Sequence, residues 1–424
     1  MESRQLLAAV TVDNATDVVD NDVSSIAALI ADATGDNEIS LREAITAANN
    51  TPGADIITFD AVLFDIATPQ TITIGSTLPL IDDPVSILGP GALTLTIDAG
   101  DGTDNTPDTG DGFRIFDVDD GSTGSDIAVT ISGMTLTGGD VSRISTTEDV
   151  VSGGGAIRSI EDLTVSKVEF VGNGARSGGG LLSEGGDLVI EFSTFDDNSV
   201  SLSGGAIDVA GNGTATFNTI TVSGNDATRP TGSSDEVVGG GIALTGSRDP
   251  RSQIPLTVTM HSVTVTDNDA TVSGDALYAS PEAIVNLDIT NSIFTDGIFN
   301  DPQGTFTGSH NLLRTFGATT GGTGTIRDNR VVLAPLELNL GTTRTHALVF
   351  TGASQGALAI DSGSTTEPLD QRDLARPDTI GGVDQVADKG AFEAYKPQFL
   401  TAPFATTTEN QVDLIDVDAT DELA

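Results

Sequence analysis

Gly153-Gly-Gly-Ala-Ile-Arg-Ser-Ile-Glu-Asp-Leu-Thr-Val-Ser-Lys-Val-Glu-Phe-Val-Gly-Asn173 is a stretch that the chain repeats. Its glycine start returns as Gly178-Gly-Gly-Leu-Leu182, then as Gly204-Gly-Ala-Ile207, Gly239-Gly-Gly-Ile242 and Gly274-Asp-Ala-Leu277. Its end returns in phase as Phe195-Asp-Asp-Asn198, Val222-Ser-Gly-Asn225 and Val265-Thr-Asp-Asn268. The basic spacing is 25 residues, counted from Asn173 to Asn198. Longer intervals contain inserted loops at 229–238 and 247–256.

Counting back from each Asn, apolar residues recur at fixed offsets. Leu163, Leu188, Ala215 and Val258 form one column, and Val165, Ile190, Phe217 and Met260 the next. Val168, Ser193, Ile220 and Val263 follow, then Phe170, Phe195, Val222 and Val265. The first two columns share one parity and the last two share the other. Each pair therefore reads as a strand with one face inward, and the change of parity is a corner. The Gly-Gly-x-apolar segment supplies a third strand. Three short strands per coil, stacked at about 4.8 Å, predict an all-β fold: a right-handed parallel β-helix with ladders of aliphatics and Phe in its core. Outward positions favour Thr (Thr130, Thr164, Thr216, Thr259; Thr135, Thr194, Thr221, Thr264). Asn173, Asn198, Asn225 and Asn268 are expected to form an amide ladder inside the turn.

A solenoid needs its ends covered, because an open strand edge recruits other strands. Ser40-Leu-Arg-Glu43 is a capping box that starts a helix with Leu41, Ala44, Ile45 and Ala48 on one face. A second short helix is expected over 24–33. The expected organisation is an N-terminal segment with its capping helix over 1–69, the β-helix over 70–345, further coils over 346–396, and an acidic linker or tail over 397–424.

The wider composition fits this class. The 424 residues include 49 Gly, no Cys and no Trp. With 47 Asp and 15 Glu against 18 Lys and Arg, the net charge is −44. Such a field repels phosphate backbones, which argues against nucleic-acid partners. It suits a high-salt setting or a Ca²⁺-binding protein, and equally serves solubility alone. No apolar run reaches the ~18 residues that cross a bilayer. The start, Met1 to Val10, is too short for a complete export signal. Either that signal has been trimmed or it lies upstream.

Three motif sets carry a resemblance. The stretch Asp36-Asn-Glu-Ile-Ser-Leu-Arg-Glu-Ala-Ile-Thr-Ala-Ala-Asn49 resembles the CSLREAI domain of bacterial surface proteins, with Ile39 where that family has Cys. The GGAI and FxxN repeats resemble those of polymorphic outer-membrane proteins. Gly341-Thr-Thr-Arg-Thr-His-Ala-Leu348, Ala359-Ile-Asp-Ser-Gly363, Asp370-Gln-Arg372 and Gly390-Ala-Phe-Glu393 resemble a choice-of-anchor Q domain. The resemblance implies an exported structural or adhesin-like surface protein that hands over no catalytic residues. Its partner would be a carbohydrate or another cell-surface component, and the assembly state stays open.

Two sites are worth following. The outward row of the Gly-Gly strand reads Arg158, Ser183, Asp208, Ala243, Tyr278, with inserted loops at 140–152, 229–238 and 247–256 to wall a groove. There a guanidinium could bind carboxylates, a carboxylate hydroxyls, and a ring could stack on a sugar. The bland reading is an ordinary polar face. The alternative is a polysaccharide lyase or glycosidase, which needs paired carboxylates or Ca²⁺ with a base. Asp196, Asp197, Asp226, Asp267 and Asp269 form the second set. Stacked like charges repel unless bridged, and Ca²⁺ would relieve them. The plainer reading is Asp chosen for turn geometry. No cofactor is required, and Ca²⁺ is the candidate ion. The loop from Asp98 to Gly112 is Asp-rich but lacks EF-hand spacing.

Overall fold

The computed structural model describes residues 7–32, 38–100, 111–122, 126–141, 153–246, 254–300, 303–316, 325–327, 332–349, 358–360, 362–364, 367–376 and 386–394. The expected loops at 140–152 and 247–256, the centre of the Asp98–Gly112 loop and the tail 397–424 lie wholly or mostly outside these residues. Residues Met1–Ala394 form one compact unit.

The fold is a parallel β-helix. Leu188, Val189, Ile190 and Glu191 pair in parallel with Leu163–Ser166 of the preceding coil and with Ala215–Asn218 of the next. Phe195 lies between Phe170 and Val222 in the second strand series. Ile207 lies between Leu181 and Ile242 in the third. All four apolar columns read from the sequence are buried. Stacking in register puts like side chains in contact: the Phe170 and Phe195 rings are parallel with centroids 4.3 Å apart. Such a pair contributes about 0.5–1.5 kcal/mol beyond its buried area.

The corners show why the parity changes. Lys167, Phe192, Thr219, Ser262 and Asn291 occupy the first corner of successive coils, with φ of 57°, 49°, 55°, 55° and 54°. One left-handed residue rotates the chain so that the next strand faces the same core. For a β-branched residue such as Thr219 this backbone is costly, and the coils above and below hold it there. At the third corner Gly154, Gly178, Gly204, Gly239 and Gly274 all have φ between 60° and 73°.

The amide ladder is present. Asn173 Nδ2 donates to Asn198 Oδ1, Asn198 to Asn225, and Asn225 to Asn268, each at 2.9 Å. The same Oδ1 atoms accept the backbone N–H of the preceding Asn at 3.0–3.1 Å. Each Nδ2 also donates to a carbonyl of the coil below, as Asn198 does to Phe170 at 3.0 Å. Asp296 Oδ2 closes the ladder by accepting from Asn268 N at 2.8 Å. Burial holds the Asp296 carboxyl above its ordinary range despite that bond.

One strand series was not expected. Gly174–Ser177, Ser199–Ser203, Asp226–Ala227 and Asp269–Ala270 form a fourth parallel sheet between the Asn turn and the glycine corner. Val200 and Ala227 pack there with Val237 in a small separate core.

The start of the stack also differs from the expected boundary at residue 70. Ala9–Val12 pairs with Asp55–Phe59, which pairs with Val85–Leu88, so the ladder begins within the N-terminal segment. Helices α1 (Ile26–Ala31) and α2 (Leu41–Asn49) pack against Ala9–Val12 and cover its outer side. In α2, Ser40 Oγ accepts from Glu43 N at 3.2 Å and Glu43 Oε2 accepts from Ser40 N at 2.9 Å. Glu43 Oε1 also takes the N–H groups of Asp20 and Asn21, both at 2.9 Å. Arg42 grips Asp17 with two bonds and donates to the carbonyls of Ser76 and Thr77. Leu41, Ala44 and Ile45 are core. The SLREAI residues thus serve the cap.

The described parts of 346–396 do not form further coils. Leu333–Glu337 and Thr345–Leu348 pair antiparallel. The described residues of this C-terminal part lie along the side of the stack as a strap. Thr343 Oγ1 donates to Phe192 O, and Arg344 reaches Glu169 and Asp196. Gln371 Oε1 accepts from Thr221 Oγ1 at 2.7 Å, while its Nε2 donates to Thr194 Oγ1 at 2.8 Å. Ala391 N donates to Thr264 Oγ1 at 2.9 Å. Thr194, Thr221 and Thr264, expected on an outer face, are at most 2% exposed. Their hydroxyls are the strap's partners.

The strap has a buried ionic interior. Arg372 pairs with Asp370, and Arg376 lies 3.5 Å from Glu393. Glu393 also accepts from Asp388 N at 2.9 Å. Burial, then the charge of Asp388, pushes the Glu393 carboxyl up to about 8. An unfolded Glu releases its proton near the ordinary 4.5, whereas the folded one keeps it to about 8. Its contribution is therefore fully present below the unfolded value and is lost as pH rises through that window. Glu393→Gln should flatten the decline in stability across it. The check is urea unfolding of both proteins as a function of pH, and parallel curves would refute the assignment.

Candidate functional site

The third strand series carries the expected row, with one displacement. Arg158 pairs with Leu182, Leu182 with Asp208, Asp208 with Ala243, and Ala243 with Tyr278. Ser183 is therefore not in the row. It pairs with Ser159 and Val209, is buried, and spends its hydroxyl on Gly185 O. The cause is a bulge: Ala175 pairs with Val200 but Ser177 with Ser203, so the later coil holds one extra residue. Shifting by one residue turns a strand's side chains to the opposite face. Three consecutive glycines at 153–155 and at 178–180 hid the slip.

The row is not an open groove along its length. Leu182, Asp208 and Ala243 are at most 1% exposed. Asp208 Oδ2 accepts from Ser203 Oγ at 2.6 Å, and Oδ1 accepts from Thr245 Oγ1 at 2.8 Å. It is a floor group that organises two hydroxyls.

At the Arg158 end, charge is already matched. Arg158 Nε bonds Glu184 Oε2 at 2.8 Å and Nη1 bonds Asp117 Oδ1 at 2.9 Å, with Asp119 at 3.6 Å. Burial works against its charge, but Asp117 and Glu184 outweigh it and hold the proton more tightly than in water. Asp117 also binds Arg114 at 2.6 Å, and Arg114 donates to the carbonyls of Gly153 and Gly154. A guanidinium so engaged braces the glycine corner, and a sugar carboxylate would have to displace its acidic partners.

At the Tyr278 end a cavity of about 290 Å³ opens. It is lined by Leu202, Ser203, Val238, Thr245, Tyr278 and the turn Ser280-Pro281-Glu282, with Glu236 from the inserted loop. That loop is anchored: Val238 bridges to Ser203 and Ser273, and Val237 packs on Val200 and Ala227. Burial, then the charge of Glu236, raises the Tyr278 phenol above its ordinary value. It stays protonated at neutral pH. Glu236 and Glu282 are both exposed. The sequence row found Tyr278 and Asp208. It missed Glu236 and Glu282, which lie on turns outside the repeat; the inserted loop at 229–238 was the available signal.

The acidic turn residues do not converge. Asp196 pairs with Val171 and Ser223, not with another Asp, and binds Arg344 Nη1 at 2.8 Å. Asp197 and Asp267 have φ of 57° and 59°, matching Gly172 and Gly224 at the same corner. Asp tolerates that backbone, which explains its choice. Among the five, Asp226 and Asp269 are the pair that register places on adjacent coils. Asp226 accepts from Thr228 Oγ1 at 2.6 Å. The expected column of repelling carboxylates is thus dispersed over three columns. A calcium ion takes six to eight oxygens, and these five residues do not assemble such a shell. Among the described residues no group of three or more His, Asp or Glu is gathered for a metal.

No family model, no curated protein and no solved structure matches this chain.

Proposed function

We propose that this chain is an exported, surface-displayed β-helical module that binds a carbohydrate or another surface component, and that it does not turn its ligand over. The observation that carries the reading is the Tyr278 cavity on the glycine-strand face. It combines an aromatic ring, ordered hydroxyls and an anchored loop on a rigid ladder, which is what a binding site for a polar ring compound requires. The lyase or glycosidase reading has less support. It needs an acid and a base that reach a substrate, whereas Asp208 is covered and doubly bonded and Arg158 is held by carboxylates. Export is supported by the motifs that resemble those of surface proteins.

Binding to a broad panel of immobilised glycans should be detectable and should be lost in Tyr278→Ala. The same panel in solution should give no new reducing or unsaturated ends. Turnover abolished by Asp208→Asn would overturn the non-enzymatic reading, and cell fractionation of a producing strain tests the location.

A further inference from the structure

We propose that the Tyr278 cavity is a subsite for a cationic amino sugar, with the sugar ring against Tyr278 and its ammonium against Glu236 and Glu282. This rests on the binding-face reading above and names the ligand chemistry. The Ser203 hydroxyl has one proton, and it goes to Asp208 Oδ2 at 2.6 Å. The Ser177 hydroxyl, 3.0 Å from Ser203 Oγ, must then be the donor in that pair. The Thr245 hydroxyl proton goes to Asp208 Oδ1 at 2.8 Å. The Tyr278 phenol is bonded with Ser280. Ser203 and Thr245, which line the cavity, therefore have no hydroxyl proton left for a ligand and can only accept, and the rim adds the carboxylates of Glu236 and Glu282, which also accept only. A buried carboxylate beneath the floor thus converts two neutral hydroxyls into acceptors.

A wall of acceptors selects a ligand rich in donors. Sugar hydroxyls and an ammonium group supply them, and an aromatic face attracts a cation as well as a C–H surface. The net charge of −44 favours a cationic ligand at long range and opposes uronic acids. The cavity has room for a ring and its substituents, and Tyr278 gives it an apolar wall that a bare metal ion would not use.

The test is calorimetric titration of the whole chain with short, fully deacetylated glucosamine oligomers and with their N-acetylated counterparts. The deacetylated series should bind at least about tenfold more tightly, with the advantage fading as the sugar amine deprotonates. Glu236→Gln combined with Glu282→Gln should remove most of that advantage. Tyr278→Ala should abolish binding of both series, and Tyr278→Phe should retain it. Both rim residues are exposed, so these variants should fold, which the thermal midpoint checks. Equal affinity for the two series would overturn the ammonium assignment while leaving the binding face intact. Tyr278-dependent binding of a lysine peptide or of Ca²⁺ with equal affinity would overturn the sugar assignment. Binding of the oligomers that persists in Tyr278→Ala would be adsorption to an acidic surface and would overturn the subsite. Polysaccharide turnover, by contrast, would sink the earlier reading rather than this one.

Discussion

Gly205→Ala should destabilise the stack by about 3 kcal/mol or more, one of the largest effects a single methyl can have here. A Cβ at this position would lie 2.0 Å from the carbonyl oxygen of Gly240 and 2.9 Å from Asp226 N. Both are backbone atoms fixed in the ladder, so no side chain can move aside. Gly155 and Gly179 face the same constraint, with their Cβ atoms 2.4 Å from Gly179 O and Gly205 O. The second glycine of each pair is thus required by close coil stacking, whereas the first is required by its left-handed backbone. Gly75→Ala is the control: its Cβ meets Asp17 Oδ2 at 3.9 Å, and its effect should be within about 0.5 kcal/mol. Urea unfolding of the three proteins decides the matter. If Gly205→Ala matches the control, the coils are not packed this closely.

Asn198→Leu should cost about 4 kcal/mol, although leucine fills nearly the same space. Asn198 is fully buried. Its Oδ1 takes two bonds from Asn173, and its Nδ2 gives bonds to Asn225 Oδ1 and to Phe170 O. Leucine would leave several of these groups buried without a partner, at about 1–3 kcal/mol each before relaxation. The loss is a break in a chain rather than of one bond, because each amide joins its own coil to those on either side. Hydrogen exchange at the Asn173 amide should accelerate along with the fall in thermal midpoint. An unchanged midpoint would mean that the ladder contributes little to the stack.

Much of this fold is legible from residue spacing. Period two within a strand, the switch of parity at the corner and the Asn spacing all report local geometry, and local geometry repeats in every coil. A column such as Leu163, Leu188, Ala215 and Val258 follows from counting alone, because coil stacking forces like residues onto like positions. The candidate site is legible in part. Arg158, Asp208 and Tyr278 stand on the strands that repeat, so counting finds them. Ser183 is misplaced by the same count because the bulge adds a residue between Val200 and Ser203, and the glycine runs at 153–155 and 178–180 align equally well one residue out of register.

The sequence alone therefore determined the repeating unit: the coil, its core, its capping helix and its amide ladder. The coil, core and ladder follow from contacts between residues one coil apart, and the helix from its own capping box. Tertiary structure decided what lies beside the coils. The strap joins Gln371 to Thr194 and Thr221, and Arg344 to Glu169 and Asp196, across separations of about 150 residues or more with no period to announce them. The cavity likewise depends on where an inserted loop returns to the sheet and sets Glu236 near Tyr278. The hydroxyls of the Thr column could have faced water or a partner with equal local preference. Which they meet is fixed only once distant segments compete for the same donors and acceptors in the folded chain.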